Sequence, residues 1–404
     1  MLPRASTRVQ AQVRVKRAVC KLKTYYLPHL KQIIIIALFL FSSCSSQKEN
    51  REHNSIYSYA DLKEYSTNIT RSEDFLTLPL EYIELETTDN SLVGYVERIV
   101  VNDSLIYIKS DGSLHLFERN GKFRNSIGQV GQGPKEVISI FDFAVDAENQ
   151  EVYILDLQGQ KINVYKNDNT FLRSIPCKDE GIFRHLDIYK GELCLTYMNL
   201  MGNEVCKFRS MDKEGNTRCI SANDVKFESL QPFAVSDCKT MQQTEIGLLV
   251  RQNFNDTIYT YHPEKDEVTL RYTFDFDDLK LSYELLRDLE TFKRNEGSIA
   301  YIPDITETNK HVFVDMVVCK RKEKYIIDKN TKTFFQPQHL EKGLYIENSS
   351  HYFWPKYYTN EIMIDFLPAD YLMEKKEEIT HPLLKSIVER MEEDSNPVLM
   401  LYSE

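Results

Sequence analysis

The chain has 404 residues, 42% of them hydrophobic and 27% charged, with 24 Tyr, 21 Phe, 14 Gly and 13 Pro, a globular composition that excludes collagen-like, mucin-like, coiled-coil and disordered chains. The net charge of −11 is split: residues 1–43 hold 8 Lys and Arg and no acid, leaving 42 basic against 61 acidic residues, a net −19, over 44–404. A body that acidic repels phosphate backbones, so no nucleic-acid partner is expected, and the longest apolar run, Ile33 to Phe41, falls short of the roughly 18 to 20 residues that span a membrane.

The basic head reads as a targeting segment. Lys31 precedes the apolar run, and Ser42 and Ser43 lead into Cys44, which is the n-region, h-region and cleavage-site order of a secretory signal. A Cys directly after two small residues resembles the bacterial lipoprotein signal, although Phe41 stands where Leu, Val or Ala is usual. That resemblance implies lipidation of Cys44 as the first residue of the mature protein, with Ser45 to Asn50 as a polar tether; an uncleaved signal anchor is the alternative. Some 30 residues before the apolar run is long for an n-region, and Arg4 to Lys23 has no hydrophobic period. The true translation start is therefore expected nearer Leu22, Leu27 or Leu30. The expected organisation is a signal segment at 1–43, a lipid-anchored tether and lead-in at 44–79, and one folded domain at 80–404.

Export gives the cysteines a second reading. Cys177, Cys194, Cys206, Cys219, Cys238 and Cys319 remain once Cys20 and Cys44 are set aside, an even number in an oxidising compartment. Yet Leu193-Cys194-Leu195 and Val317-Val318-Cys319 lie in apolar strand patterns, and a domain of this size buries a core without staples. Buried thiols are expected, with a disulfide as the alternative. No Cys-x-x-Cys occurs, which excludes a zinc knuckle or dithiol redox motif.

From Leu80 to Phe366 short runs of alternating apolar and polar residues are separated by Asn, Asp, Gly and Lys turns, predicting an all-β fold. The strands repeat. Leu114, Leu116, Phe117, Phe123 and Ile127 recur 48 positions later as Ile162, Val164, Tyr165, Phe171 and Ile175, and a further 96 beyond Ile162 and Tyr165 lie Ile258 and Tyr261. The skipped unit is Val205-Cys-Lys-Phe208, the fifth Tyr325-Ile-Ile327 and the sixth Val398-Leu-Met-Leu-Tyr402. The fifth is displaced by Asp278 to Lys293, where Leu279, Leu281, Leu285, Leu286 and Leu289 recur at helical spacing with Ser282 as a cap. The sixth is displaced by helical sequence at Pro368 to Lys375 and Pro382 to Glu393. Six units of four short strands predict a six-bladed β-propeller with helical insertions before blade 5 and within blade 6. The last unit stops at its third strand, so Leu80 to Glu86 is expected to supply the fourth and close the ring.

The run Ile127-Gly-Gln-Val-Gly-Gln-Gly-Pro-Lys-Glu136, followed by Phe141 to Asp146, Val152 to Asp156 and Lys161 to Tyr165, resembles the six-bladed β-propeller lipoproteins of Gram-negative bacteria and, more distantly, NHL repeats. Asn396 to Tyr402 and Leu85 to Asp89 are similar to that family's two ends. The resemblance covers about Leu80 to Tyr402. It implies the propeller fold and a lipid-anchored place in the cell envelope, periplasmic or on the outer-membrane surface, and it carries no catalytic residues.

Gly128, Gly131 and Gly133 lack the Gly-Lys-Ser/Thr and following helix of a phosphate loop and are assigned to the crossing from blade 1 to blade 2. Asp156, before Gln158-Gly159, is assigned to satisfying turn amides. Asp142, Asp187 and Asp315, each between apolar residues, are expected on inner strands facing the central channel. With Asn253 they form a candidate ligand site at the channel mouth, where oxygen donors suit Ca²⁺; a hydrated channel lining is the plainer expectation. His351 to Tyr358 reads as packed aromatics before it reads as a platform for sugar or peptide. The His residues show no metal spacing, and there is no Gly-x-Ser-x-Gly elbow. The expected function is a non-catalytic binding module for a protein, peptide or glycan, without a cofactor. The alternative is a Ca²⁺-dependent hydrolase or lyase, lactonase-like, at the channel mouth.

Overall fold

The 48-residue repeat is one antiparallel four-stranded blade, and six blades complete a ring in a computed structural model that describes residues 55–177, 181–232 and 239–404. Blade 1 comprises Val96–Val101, Leu105–Ser110, Ser113–Glu118 and Phe123–Ser126; blade 2 comprises Asp142–Asp146, Glu151–Asp156, Lys161–Lys166 and Phe171–Pro176. Blade 3 follows with Phe183–Tyr189, Glu192–Tyr197, Cys206–Met211 and Thr217–Ala222, and blade 4 with Met241–Thr244, Gly247–Arg251, Thr257–His262 and Glu267–Asp275. Blade 5 is Ala300–Glu307, His311–Val318, Arg321–Asp328 and Phe334–Pro337. Blade 6 takes Tyr357–Thr359, Ile362–Leu367 and Val398–Ser403 from the C-terminal end and Glu81–Glu84 from the N-terminal end.

Strand alternation gives every blade two apolar faces, and each is covered by the next blade. Phe208 and Cys194 of blade 3 meet Leu248, Val250 and Tyr261 of blade 4 in one such layer, and Tyr107 of blade 1 meets Phe143 and Ile154 of blade 2 in another. The repeating third-strand aromatic is buried in each unit, as Phe117, Tyr165, Phe208, Tyr261, Tyr325 and Tyr402. Cys194 and Cys219 are buried thiols in the layer between blades 3 and 4, and Cys319 is a half-buried one; Cys238 lies outside the described residues.

The ring closes as expected. Val398, Leu399, Met400 and Leu401 pair antiparallel with Glu84, Ile83, Tyr82 and Glu81. Both faces of the closing strand are covered, Tyr82 packing with blade 5 and Ile83 with blade 1, so closure leaves no open sheet edge between first and last blades.

The stretch before residue 80 differs from a plain lead-in. Ser55–Ser58 adds a fifth, parallel strand outside blade 4, Ser55 opposite Tyr272 and Ser58 opposite Asp275, and Thr67–Ile69 adds one outside blade 5. A short helix, Tyr59–Tyr65, joins them, capped by the Ser58 hydroxyl accepting the Asp61 N–H. Buried Tyr57, Tyr59 and Leu62 hold this arm down, and the Tyr59 hydroxyl donates to Glu323 at 3.0 Å. Strands of three and four residues are too short for an alternation test, which is why the arm escapes a period-based reading.

The insertion before blade 5 is two 3-10 turns, Asp277–Leu279 and Tyr283–Arg287, then a helix at Leu289–Asn295. Its cap is Asp288, which accepts the Thr291 N–H at 2.8 Å; Ser282 opens only the 3-10 turn and makes no cap bond. The insertion in blade 6 holds helices Ala369–Glu374 and Pro382–Val388. No helix among the described residues is long and apolar enough to cross a membrane. In the crossing from blade 1 to blade 2, Gly128 has φ +80° and donates to Asn169 at 2.8 Å, where a Cβ would meet Ile154. Asp156, fully buried, accepts the Gly159 and Ile138 amides, both at 2.9 Å.

Candidate functional site: the central channel and the loop face

The first strand of each blade lines a central cavity of about 700 Å³. Apolar side chains such as Val100, Val145 and Ile188 form part of the lining, and polar ones from the same strands meet around the axis. Arg98 of blade 1 donates through Nη1 to Asp142 Oδ2 of blade 2 and to the carbonyls of Phe143 and Leu186, each at 2.8 Å, and its Nη2 lies 3.6 Å from Asp187 of blade 3. Asp142 Oδ2 also accepts the Leu186 amide at 2.8 Å. Gln243 of blade 4 donates to Asp187 Oδ1 at 2.9 Å and to the Ile188 carbonyl at 2.8 Å.

Lys239, entering blade 4, lies 3.0 Å from Asp304 of blade 5, donates to Thr306 at 2.8 Å and reaches the Lys356 carbonyl at the start of blade 6. Tyr357 of blade 6 donates to the Glu97 carbonyl of blade 1 at 3.1 Å. With the Thr306 hydroxyl of blade 5 donating to the Pro355 carbonyl just before blade 6 at 3.0 Å, the contacts form a closed polar belt.

Burial sets the electrostatics of this belt. It pushes the Asp187 carboxyl up, with Arg98 opposing, and pushes Asp304 up, with Lys239 opposing. Burial also opposes the charge of Arg98, but Asp142 and Asp187 more than offset it and raise the guanidinium above its ordinary value. His185 is driven well below the usual imidazole range, first by burial and then by the surrounding cations Arg184, Arg98, Lys239 and Lys109. It is therefore neutral, and its Nδ1 accepts the Thr240 N–H at 3.2 Å and lies 2.7 Å from the Thr240 hydroxyl.

Of the four sequence candidates, the structure brings two together, Asp142 and Asp187, on the two sides of Arg98. Asp315 is on the second strand of blade 5, paired with Lys324 and accepting Trp354 Nε1 at 3.1 Å. It faces a neighbouring cavity instead of the channel. Asn253 is in the turn after the second strand of blade 4, away from the channel lining. The inner-strand acid of blade 5 is Asp304. Arg98, Lys239, Gln243 and Tyr357 each have a polar neighbour in sequence, and Asp304 follows Pro303, so none stands in the clean apolar-acid-apolar pattern that singled out Asp142, Asp187 and Asp315. Cys44 lies outside the described residues.

The donor set suits a Ca²⁺ ion poorly. Asp142 and Asp187 already serve Arg98 and backbone or amide donors, and among the described residues no group of three or more His, Cys, Asp or Glu side chains is placed to hold a metal. The aromatic run is divided: His351, Phe353, Trp354 and Tyr358 are buried, while Tyr352 is half-buried.

The two faces of the ring differ. Turns joining first to second and third to fourth strands have two to five residues. On the opposite face lie the long connections 127–141, 276–299, 338–356 and 368–397. That loop face carries exposed Tyr95, Val130, Ile182, Val205, Leu230 and Leu289, of which Val205 is 75% and Leu230 69% accessible.

No curated protein matches the sequence. Among solved structures, the chain is similar to a candidate exported protein from Bacteroides fragilis NCTC 9343, with a TM-score of 0.68 at 19% identity over 86% of this chain and 99% of that one. It is also similar to a member of the duf4221 family from Bacteroides vulgatus ATCC 8482, with a TM-score of 0.50 at 12% identity over 80% of this chain and 96% of that one. These likenesses concern the fold. One family model matches residues 61–403, all six blades and the part of the arm from residue 61 onward, and the chain therefore belongs to the family described as Domain of unknown function (DUF4934).

Proposed function

We propose that the protein is an exported, lipid-anchored propeller of the cell envelope that acts as a non-catalytic binding module, engaging a protein, peptide or glycan through its loop face. The observation that carries this reading is the one-sided placement of exposed apolar side chains on long loops, opposite a face of short polar turns. Exposed apolar side chains gathered on one surface favour association. The commitment of the channel acids to Arg98 and Lys239 supports the non-catalytic part. Export and anchoring rest on the order of Lys31, the apolar run and Cys44, and the similar Bacteroides fragilis protein is itself a candidate exported protein.

Cross-linking in native envelopes, read by mass spectrometry, tests the reading. Partner cross-links should concentrate on loops 127–141, 276–299 and 368–397 and fall sharply in a Val205→Asp/Leu230→Asp/Leu289→Asp variant. Cross-links confined to the short-turn face, or unchanged in that variant, would overturn it.

A further inference from the structure

A second cavity, of about 640 Å³, lies beside the channel between blades 5 and 6 and shares Asp304, Lys356 and Phe366 with the channel lining. Strands of blades 5 and 6 form much of its lining, and two of its walls are additions to the basic blade. One is the hairpin of Leu344–Ile346 and His351–Phe353, and the other is the helix Ala369–Glu374. The hairpin contributes Tyr352, the helix Tyr371, and between them stands Trp354, the one Trp of the sequence.

Four Lys and four acids line this cavity, and not all of them pair. Asp315 is taken by Lys324 and the Trp354 indole, Asp365 by Lys356 at 2.9 Å and the Trp354 amide at 3.1 Å, and Asp304 by Lys239. Lys322 and Lys342 are exposed at the rim and make no ion pair among the described residues; the Lys342 ammonium lies 5.2 Å from the Tyr352 ring centroid. Glu341 is the rim acid without a basic partner, so the unpaired charges of the lining are two ammonium groups and one carboxylate, in a body of strongly negative net charge.

We infer that this cavity binds a ring-bearing organic anion, a carboxylate or sulfonate whose ring packs on Tyr352 and Tyr371 while its charge meets Lys322 and Lys342. Its volume is that of a small-molecule site, apolar walls with a few convergent polar groups being the usual composition of one. Exposed lysines without an ion pair occur elsewhere, Lys265 and Lys293 among them, but at this cavity two of them stand beside half-buried tyrosine rings, and that combination selects the place. This inference does not require the loop-face partner, although two walls of the cavity, in connections 338–356 and 368–397, belong to that face.

The test uses 8-anilinonaphthalene-1-sulfonate as the anionic probe and N-phenyl-1-naphthylamine as its uncharged counterpart, with energy transfer from Trp354 as the readout on the folded protein. The sulfonate should saturate a single site and bind about tenfold more tightly than the neutral dye, as two exposed charge contacts would give. The Lys322→Gln/Lys342→Gln variant should lose that advantage and leave the neutral dye's affinity unchanged. Lys265→Gln/Lys293→Gln, which removes two exposed charges elsewhere, should bind as the native protein does. Absence of saturable sulfonate binding at millimolar dye, equal affinity for the two dyes, or equal loss in both double variants would overturn the assignment.

Discussion

The side-chain carbonyl of Asn396 accepts the backbone N–H of Val93 at 2.8 Å across 303 positions of sequence. The same side chain donates to the carbonyls of Glu86 at 2.9 Å and Ser91 at 2.8 Å, and the Asn396 amide donates to Thr87 at 2.9 Å. Asn396 is 2% accessible. It therefore ties the segment entering blade 1 to the strand that ends blade 6, immediately beside the antiparallel pair that closes the ring.

Replacing Asn396 with Ala leaves the buried Val93 N–H and the Ser91 carbonyl without that partner, while the Glu86 carbonyl keeps the Ser91 hydroxyl at 2.7 Å. The expected cost is about 2 to 3 kcal/mol of unfolding free energy, read by chemical denaturation. Deleting residues 397–404 removes the strand itself and should destabilise all six blades together, because each blade needs both neighbours. A truncated protein with the native midpoint would contradict this account of closure.

Arg98 is the counter-charge of two buried carboxylates. Arg98→Met should cost about 3 to 5 kcal/mol, the usual consequence of leaving buried charge uncompensated. Adding Asp142→Asn and Asp187→Asn should restore most of the loss. Denaturation of the single and triple variants measures both, and an Arg98→Met protein of native stability would mean that the polar belt does not brace the channel.

Glu307 is fully buried in the layer between blades 4 and 5. Burial alone would raise its carboxyl, but the hydrogen bonds and charge of Arg271, with Lys329, overcome that and hold it below the ordinary value. A carboxyl depressed in the folded state adds stability above its unfolded pKa and loses it as pH falls through the folded value. Thermal stability should therefore drop on acidification below the ordinary Glu range. Glu307→Gln should be less stable at neutral pH and show a shallower acid limb. Parallel melting curves across pH 7 to 3, a span set by carboxylate titration, would detect the difference.

Calcium offers a direct check on the non-catalytic reading. A ligand bound only by the native state raises the melting temperature, and the channel acids are already engaged, so millimolar Ca²⁺ should leave melting unchanged. A clear saturable rise would return the hydrolase alternative to consideration.

Membrane attachment is assigned to one residue outside the described structure. Cys44→Ala should release the protein from membrane fractions or leave an uncleaved precursor, since lipid chains anchor through about 0.8 kcal/mol per buried CH₂ and the acidic body offers no electrostatic substitute. Unchanged fractionation would refute the lipid anchor.

The sequence by itself determined the number of blades and the way the ring closes. A 48-residue period carries buried aromatics from Phe117 to Tyr165 and onward, and a final unit lacking one strand requires Leu80 to Glu86 to supply it. Asp156 was legible for the same reason: a carboxylate two residues before Gln158-Gly159 has turn amides within local reach. The channel site was only half legible. Asp142 and Asp315 sit in the same local pattern, an acid between apolar neighbours, yet one is on a first strand and the other on a second. Alternation says that a side chain leaves the packed face; which space it enters depends on the strand's rank within its blade. Arg98 shows the same limit, because its partners Asp142, Phe143, Leu186 and Asp187 come from two other blades. Only the tertiary structure decided these, together with the arm at Ser55–Ser58, whose partner strand lies more than 200 positions away. Local periodicity encodes what each strand buries, whereas contacts around the axis are set by the geometry of six blades brought together.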